Sequence, residues 1–419
     1  MARCATACIA AFWLVLSVAP AMAAESCTAC HRVERAGLHR KLACSACHGN
    51  EPAAGNGPAA SLRKAAPCDR CHRGTAAIFG HVMGTRSREK DFVARSLSAV
   101  DKDFFGKNCG SCHISGCLDC HEGGGHRTAR ASPSRCLACH KGYFVGADYF
   151  GKAPREDSLR YQRGMAANGE TFLTMLPDVH AEAGLSCGAC HTMRSLVEGK
   201  KAGKTCTDCH RWKGSSPEHR IAAHRDRLEC YACHSAWAAQ EYGTFFLRFT
   251  ESRSREDFWL KGSDKESEYL RSAYLRRQDA PPLGMNVRGK VSPIRPQFIA
   301  YYTHLRRDKA EGTENRLLAA EWKAFFPHTI RRGTVLCDGC HDAPRRFLME
   351  DPGDRIYRIR EDGMTLESFW DRTGQRVVNG AFLPAESYRR LSARGPEFQR
   401  GYLEKWRNLV HRVDGSSAR

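Results

Sequence analysis

Ten copies of Cys-x-x-Cys-His are spread along a chain of 419 residues, and they take up twenty of its 22 cysteines. The copies are Cys27/Cys30/His31, Cys44/Cys47/His48, Cys68/Cys71/His72, Cys109/Cys112/His113, Cys117/Cys120/His121, Cys136/Cys139/His140, Cys187/Cys190/His191, Cys206/Cys209/His210, Cys230/Cys233/His234 and Cys337/Cys340/His341. Disulfides place no demand on the residue after the second cysteine, yet histidine stands there every time, so a disulfide framework does not explain the pattern. Zinc knuckles take their histidines from a separate segment. Thioredoxin-like chemistry needs one such pair in a βαβ setting. The spacing is that of covalent c-type haem: two thiols add to one porphyrin, and the adjacent histidine is held under the iron. Ten haem c groups are expected, tethered by these twenty cysteines and ligated by the ten motif histidines.

The N-terminus reads as an export signal. Arg3 supplies a positive start, Ile9 to Ala19 an apolar core and Ala21-Met22-Ala23 a small-residue cleavage site, which removes residues 1–23 with Cys4 and Cys8. The apolar run is too short for a permanent membrane span. The expectation is a periplasmic or secreted protein that does not span the membrane after cleavage.

Residues 24–235 then form a nine-haem module, at roughly one haem per 23 residues between Cys27 and His234. A peptide that sparse cannot build an ordinary apolar core, and a mean hydropathy of −0.51 agrees. The expected fold class is mainly α and irregular, with short helices and loops wrapped round a stacked haem chain and minor β in the insertion and C-terminal region. Gly123 to Gly125 read as a place where backbone approaches a porphyrin face.

Residues 236–336 are a cysteine-free aromatic and basic insertion, and residues 337–419 carry the tenth haem and a helical tail. Within the insertion, Thr244 to Thr250 reads as a strand, Pro281 to Pro296 as an extended loop and Asn315 as the N-cap of a helix through Phe326. Shielding of a haem edge is the simplest purpose for such an insertion. In the tail, Arg355 to Trp370 reads as a small hairpin, and Ala385 to His411 as helix broken near Gly395-Pro396.

Formal net charge is +19. About twenty propionates on ten haems offset it, and no basic helix with interleaved aromatics is present, so nucleic acid is not an expected partner. Nine histidines lie outside the motifs: His39, His81, His126, His180, His219, His224, His304, His328 and His411. These are the candidate distal ligands, and nine cannot complete ten irons. At least one iron therefore takes methionine, lysine or another ligand, borrows one from a partner chain, or is open for chemistry.

The motifs in this order resemble the periplasmic and outer-surface multihaem cytochromes c of metal- and metalloid-respiring bacteria. The close pair from Cys109 to His121 and the phrases Arg346-Phe-Leu and Ser368-Phe-Trp resemble cytochromes encoded with selenite and tellurite reduction systems, and more loosely octahaem tetrathionate reductases. Those reductases replace one proximal histidine by lysine, whereas all ten motifs here end in histidine. The closely spaced haem motifs give the expectation of a haem wire between redox proteins, with an outer-membrane conduit or an inner-membrane quinol dehydrogenase as possible partners. Two alternatives stand beside it. One is a reductase of a small oxyanion (selenite, tellurite, nitrite or tetrathionate), acting at a haem near His234 or His341 with help from His304. The other is a subunit of an extracellular cytochrome filament or of an outer-membrane conduit.

Overall fold

A computed structural model describes residues 36–37, 39–48, 66–109, 113–121, 127–140, 148–150, 162–167, 170–174, 178–199, 202–211, 214, 216–252, 268–278, 280–351, 372 and 374–416. Cys27, Cys30 and His31 of the first motif, Cys112, His126, the Gly123–Gly125 run and the hairpin expected at 355–370 lie outside the described residues. The chain divides into two compact units.

One unit comprises Met1–Ser87, Ser111–Cys139 and Ser186–Gly203. It is built of short helices, among them Cys44–His48, Ala66–Asp69, Val82–Thr85, Leu118–His121, Cys187–Cys190 and Met193–Glu198. Two strands, β1 (Ala36–Gly37) and β2 (Arg127–Thr128), pair in parallel. The helices are short because each motif needs a single turn. The amide of His72 donates to the carbonyl of Cys68 at 2.9 Å, that of His121 to Cys117 at 3.1 Å and that of His191 to Cys187 at 2.9 Å. Such an i to i+4 bond brings the first cysteine, the second cysteine and the histidine to one side of the turn. Among the described residues of this unit, Ile78 is the one buried apolar side chain.

The other unit comprises Arg88–Gly110, His140–Leu185 and Lys204–Arg419. In it β3 (Asp148–Phe150), β4 (Gln162–Ala167) and β5 (Glu170–Thr174) form an antiparallel sheet of order β3-β5-β4. The larger sheet is seven-stranded: β6 (Ala238–Thr250), β7 (Tyr269–Gln278), β8 (Leu283–Asn286), β9 (Val291–Arg306), β10 (Lys309–Ala310), β11 (Arg316–Ala324) and β12 (Gly380–Ala381). Its order is β12-β8-β9-β6-β7, with β10 and β11 also on β9. β9 is the spine, running parallel to β6 and antiparallel to β8 and β11.

Successive residues of a strand face opposite sides, and the two cores follow from that alternation. Phe245 and Tyr301 are register partners whose rings stack at 4.7 Å, and they join Ile294, Ile299 and Trp322 on one face. The next residues, Phe246 and Tyr302, point to the other face. There they meet Phe92, Val93, Leu97 and Phe104 from the helical segment Ser87–Cys109.

The strand expected at Thr244–Thr250 is the second half of β6, and the tail helices are Ala385–Ser392 and Pro396–Ser416, broken at Gly395-Pro396 as expected. Three features differ. The helix expected from Asn315 is instead β11, although Leu317, Leu318, Ala319 and Ala320 are good helix formers. Burial of Trp322 against β9 and the backbone partners that β9 offers outweigh local propensity. Asn315 itself turns the chain with φ of 51° and donates its amide to Thr303 Oγ1 at 2.8 Å. The Pro281–Pro296 segment is a β8–β9 hairpin rather than a loop. Its turn carries Gly289 at φ 71°, and Pro296 is tolerated in β9 because the register shifts at Trp322 opposite it. Finally, β3 to β5 place β structure outside the insertion and the C-terminal region, inside the segment read as helix and loop.

Candidate functional site

Among the described residues, four imidazole pairs each join a spare histidine to a motif histidine. Ring centroids lie 5.8 Å apart for His39 and His72, 6.0 Å for His180 and His210, 6.2 Å for His219 and His234, and 6.1 Å for His224 and His341. These spacings exceed direct stacking. Two imidazoles on opposite sides of one metal ion, each bonded at roughly 2 Å with its centroid about 1 Å beyond, leave centroids roughly 6 Å apart. The donor set therefore fits an iron between each pair.

The backbone orients several of these rings. The Nδ1 of His121 is 3.0 Å from the carbonyl of Ala129, that of His234 is 3.2 Å from Gly333 and that of His341 is 2.5 Å from Leu391. An Nδ1–H donated to a carbonyl leaves Nε2 with its lone pair, the form a metal ligand needs. Burial lowers the pKa of His234, and burial followed by the charge of His341 lowers that of His224. Both shifts favour the neutral imidazole, the form a metal ligand needs.

The distal rings have their own supports. Asp178 caps the helix Val179–Glu182, accepting amides from His180 at 3.1 Å and Ala181 at 2.9 Å, and its other oxygen accepts from Ile330 at 3.3 Å. His39 Nδ1 lies 2.7 Å from Thr128 Oγ1, beside the β1–β2 pairing. His219 and His224 sit on successive helices, Pro217–Arg220 and Ala222–Arg227, and the extended Ile221 between them lets each ring serve a different motif. The C-terminal helix Pro396–Ser416 packs over this segment: Lys405 pairs with Glu218 at 2.7 Å, Glu404 pairs with Arg220, and Phe398 lies 4.8 Å from His341.

Motif cysteines approach one another in series. A hydrogen bond with Cys230, then burial, pushes the Cys206 thiol up, and the same bond lowers Cys230 to about 6. Burial and then the nearby Cys340 push Cys233 up to about 12. In the other unit burial, then Cys68, raises Cys117 to about 11, and burial, then Cys187, raises Cys136 to about 11, with Cys120 also beside it. Burial and then Cys68 raise Cys47. The Cys44, Cys68, Cys117, Cys136 and Cys187 motifs thus neighbour one another in one unit, and the Cys206, Cys230 and Cys337 motifs in the other. Cys71, Cys190 and Cys209 are exposed. Among the described residues no group of three or more His, Cys, Asp or Glu side chains is placed to hold a metal ion.

Two motifs are seen less completely. Cys27, Cys30 and His31 all lie outside the described residues, so the tether and proximal ligand expected there rest on their spacing alone. In the fourth motif Cys109 ends the helix Phe104–Cys109, Cys112 lies outside the described residues, and His113 is half-buried in a bend. The amide of Ile114, next to His113, donates to the carbonyl of Met83 at 3.3 Å, which ties this motif to the helix Val82–Thr85. His113 belongs to none of the four imidazole pairs described above, and its expected place beneath an iron likewise rests on the motif.

The remaining candidates are placed otherwise. His304 lies in β9 with Nε2 at 2.8 Å from Thr250 Oγ1 and Nδ1 at 2.7 Å from a Glu311 carboxylate oxygen, so the sheet occupies both nitrogens. That departs from its expected role as a distal ligand or anion-binding group. His81 precedes the helix Val82–Thr85, His328 stands edge-on to Phe326 at 4.7 Å, and His411 is exposed on the C-terminal helix. The haem sites expected to be open, at His234 and His341, are two of those faced by a second imidazole. Sequence reasoning missed Asp178 and the three carbonyl acceptors. An Asp two residues before a histidine is a readable cap signal, whereas a carbonyl acceptor leaves no trace in side-chain identity.

Comparison with known proteins locates one family. Residues 162–248 match the class III cytochrome c family, a stretch that holds the Cys187, Cys206 and Cys230 motifs together with His180, His219 and His224. No curated protein and no solved structure matches the chain. The match supports a multihaem c-type cytochrome with covalently bound haem and an electron-transfer role.

Proposed function

We propose that the chain is a ten-haem electron carrier of the periplasm or cell exterior. The observation that carries this reading is the set of four histidine pairs about 6 Å apart, each joining a motif histidine to one outside the motifs. Bound haem supplies reversible one-electron chemistry at iron, with a potential graded by ligands, charge and burial. The chain's own residues do the rest. The twenty motif cysteines would tether the haems and the ten motif histidines would bind their irons. His39, His180, His219 and His224 would supply a second imidazole to the haems of the Cys68, Cys206, Cys230 and Cys337 motifs. Cysteines of successive motifs lie side by side, which supports short steps between neighbouring haems. The scarcity of buried apolar side chains in the first unit supports porphyrin faces as its interior.

Export fits the N-terminal signal, and among the described residues no helix is long and apolar enough to cross a membrane. Redox proteins are the partners this reading requires, with a quinol dehydrogenase or an outer-membrane conduit as terminal members of the chain. A second reading, oxyanion reduction, draws support from His304. With that side chain held by Thr250 and Glu311, eight spare histidines remain for ten irons. At least two irons then take another ligand or none, and they belong to motifs other than those of His72, His210, His234 and His341. Electron paramagnetic resonance of the oxidised protein separates the two. Wholly low-spin spectra support the carrier, and a high-spin signal that shifts on adding selenite or nitrite supports the reductase.

A further inference from the structure

The buried Arg346 lies in the short helix Pro344–Phe347 just beyond the last motif and is 5% exposed. Its Nη1 donates to the carbonyl of Gly339 at 3.2 Å and lies 3.1 Å from Cys340 Sγ, and its Nη2 donates to the carbonyl of Ala232 at 3.2 Å. Gly339 lies inside the Cys337 motif and Ala232 inside the Cys230 motif, so one guanidinium holds both Cys-x-x-Cys turns. Its Nε is buried without a hydrogen-bond partner, and no carboxylate among the described residues pairs with it.

A buried cation with no counter-charge and an idle donor is costly unless something else meets it. What adjoins it here is the attachment edge of two motifs. Cys340 Sγ is 3.1 Å from the guanidinium, and once tethered to haem this sulfur is a thioether with no charge to balance it.

We propose that Arg346 is the fixed positive charge that raises the reduction potentials of the two haems tethered by Cys230/Cys233 and Cys337/Cys340. This rests on the reading in which those motifs carry haem. Each iron passes from ferric to ferrous by taking one electron from a redox donor, and the gain lowers its charge by one. A nearby cation therefore favours the reduced form. Arg346 is a positioning residue: it touches the tethering segments and acts on the irons through its charge.

The test is a spectroelectrochemical titration of the haem-loaded protein, with haem content checked by mass. Arg346→Met is expected to move the absorbance share of two haems to lower potential, while Arg346→Lys, which keeps the charge, stays close to the parent. A methionine variant that titrates like the parent overturns the assignment. So does a lysine variant displaced as far as the methionine one, since that marks a packing role. Where Arg346→Met loses haem by mass, Arg346→Lys decides: coincidence with the parent supports the proposal, and displacement of two haems overturns it. A parent protein without Soret absorbance overturns the haem reading itself, which keeps the two failures distinct.

Discussion

Individual histidines carry different duties here, and their surroundings separate them. His219 and His224 face His234 and His341, so alanine at either position is expected to convert one haem each from low-spin to high-spin, read by electron paramagnetic resonance. His304→Ala is expected to leave that spectrum unchanged, because Thr250 and Glu311 already hold its ring. Asp101 shows the same logic away from any motif. Burial alone would raise its pKa, but hydrogen bonds from Lys107, Tyr269 and the Asp103 amide outweigh burial and hold it below the ordinary carboxylate value. Lys107 Nζ and Tyr269 Oη each lie 2.8 Å from it. A depressed folded pKa means that the stabilisation is complete above the unfolded value, near ~3.9, and is lost as pH falls through the folded one. Asp101→Asn is expected to cost about 1–3 kcal/mol at neutral pH and to flatten the acid limb of a stability profile followed by denaturant unfolding.

At the scale of elements, β9 decides the second unit, because β6, β8, β10 and β11 all pair with it and both sheet faces carry packed aromatic rings. Trp322 is fully buried between β9 and the tail, with Nε1 donating to Gln375 at 2.6 Å. Trp322→Ala is expected to destabilise this unit by about 3–5 kcal/mol, measured as a lowered Cm of the phase reported by β-sheet circular dichroism. The C-terminal helix has a narrower duty. Its ion pairs with Glu218 and Arg220 are partly exposed and contribute little, about 1 kcal/mol or less each. Phe398 against His341 is the contact that matters. Phe398→Ala is expected to perturb the spectrum of one haem while Lys405→Ala does not.

For the whole molecule, the two units solve the same problem by different means. Among the described residues, the second contains nearly all of the buried apolar side chains, gathered on a sheet, whereas the first contains Ile78 and motif-bearing helical turns. The mature protein is expected to weigh its polypeptide from Ala24 plus roughly ten haem increments, read by intact mass spectrometry. Omitting haem during expression is expected to abolish protease resistance in the first unit more than in the sheet.

The sequence alone determined where the ten Cys-x-x-Cys-His turns fall, because all the information lies within five residues. A cysteine, a second cysteine and a histidine joined by an i to i+4 bond share one face of one turn whatever surrounds them. Strand Thr244–Thr250 and the helix break at Gly395-Pro396 were legible for the same local reason. Tertiary structure decided which spare histidine faces which motif, that His304 belongs to the sheet, and that Leu317 to Ala320 extend rather than coil. Those outcomes depend on partners far along the chain, such as His224 with His341 or β11 with β9, and burial against a distant surface outweighs what any short segment prefers by itself.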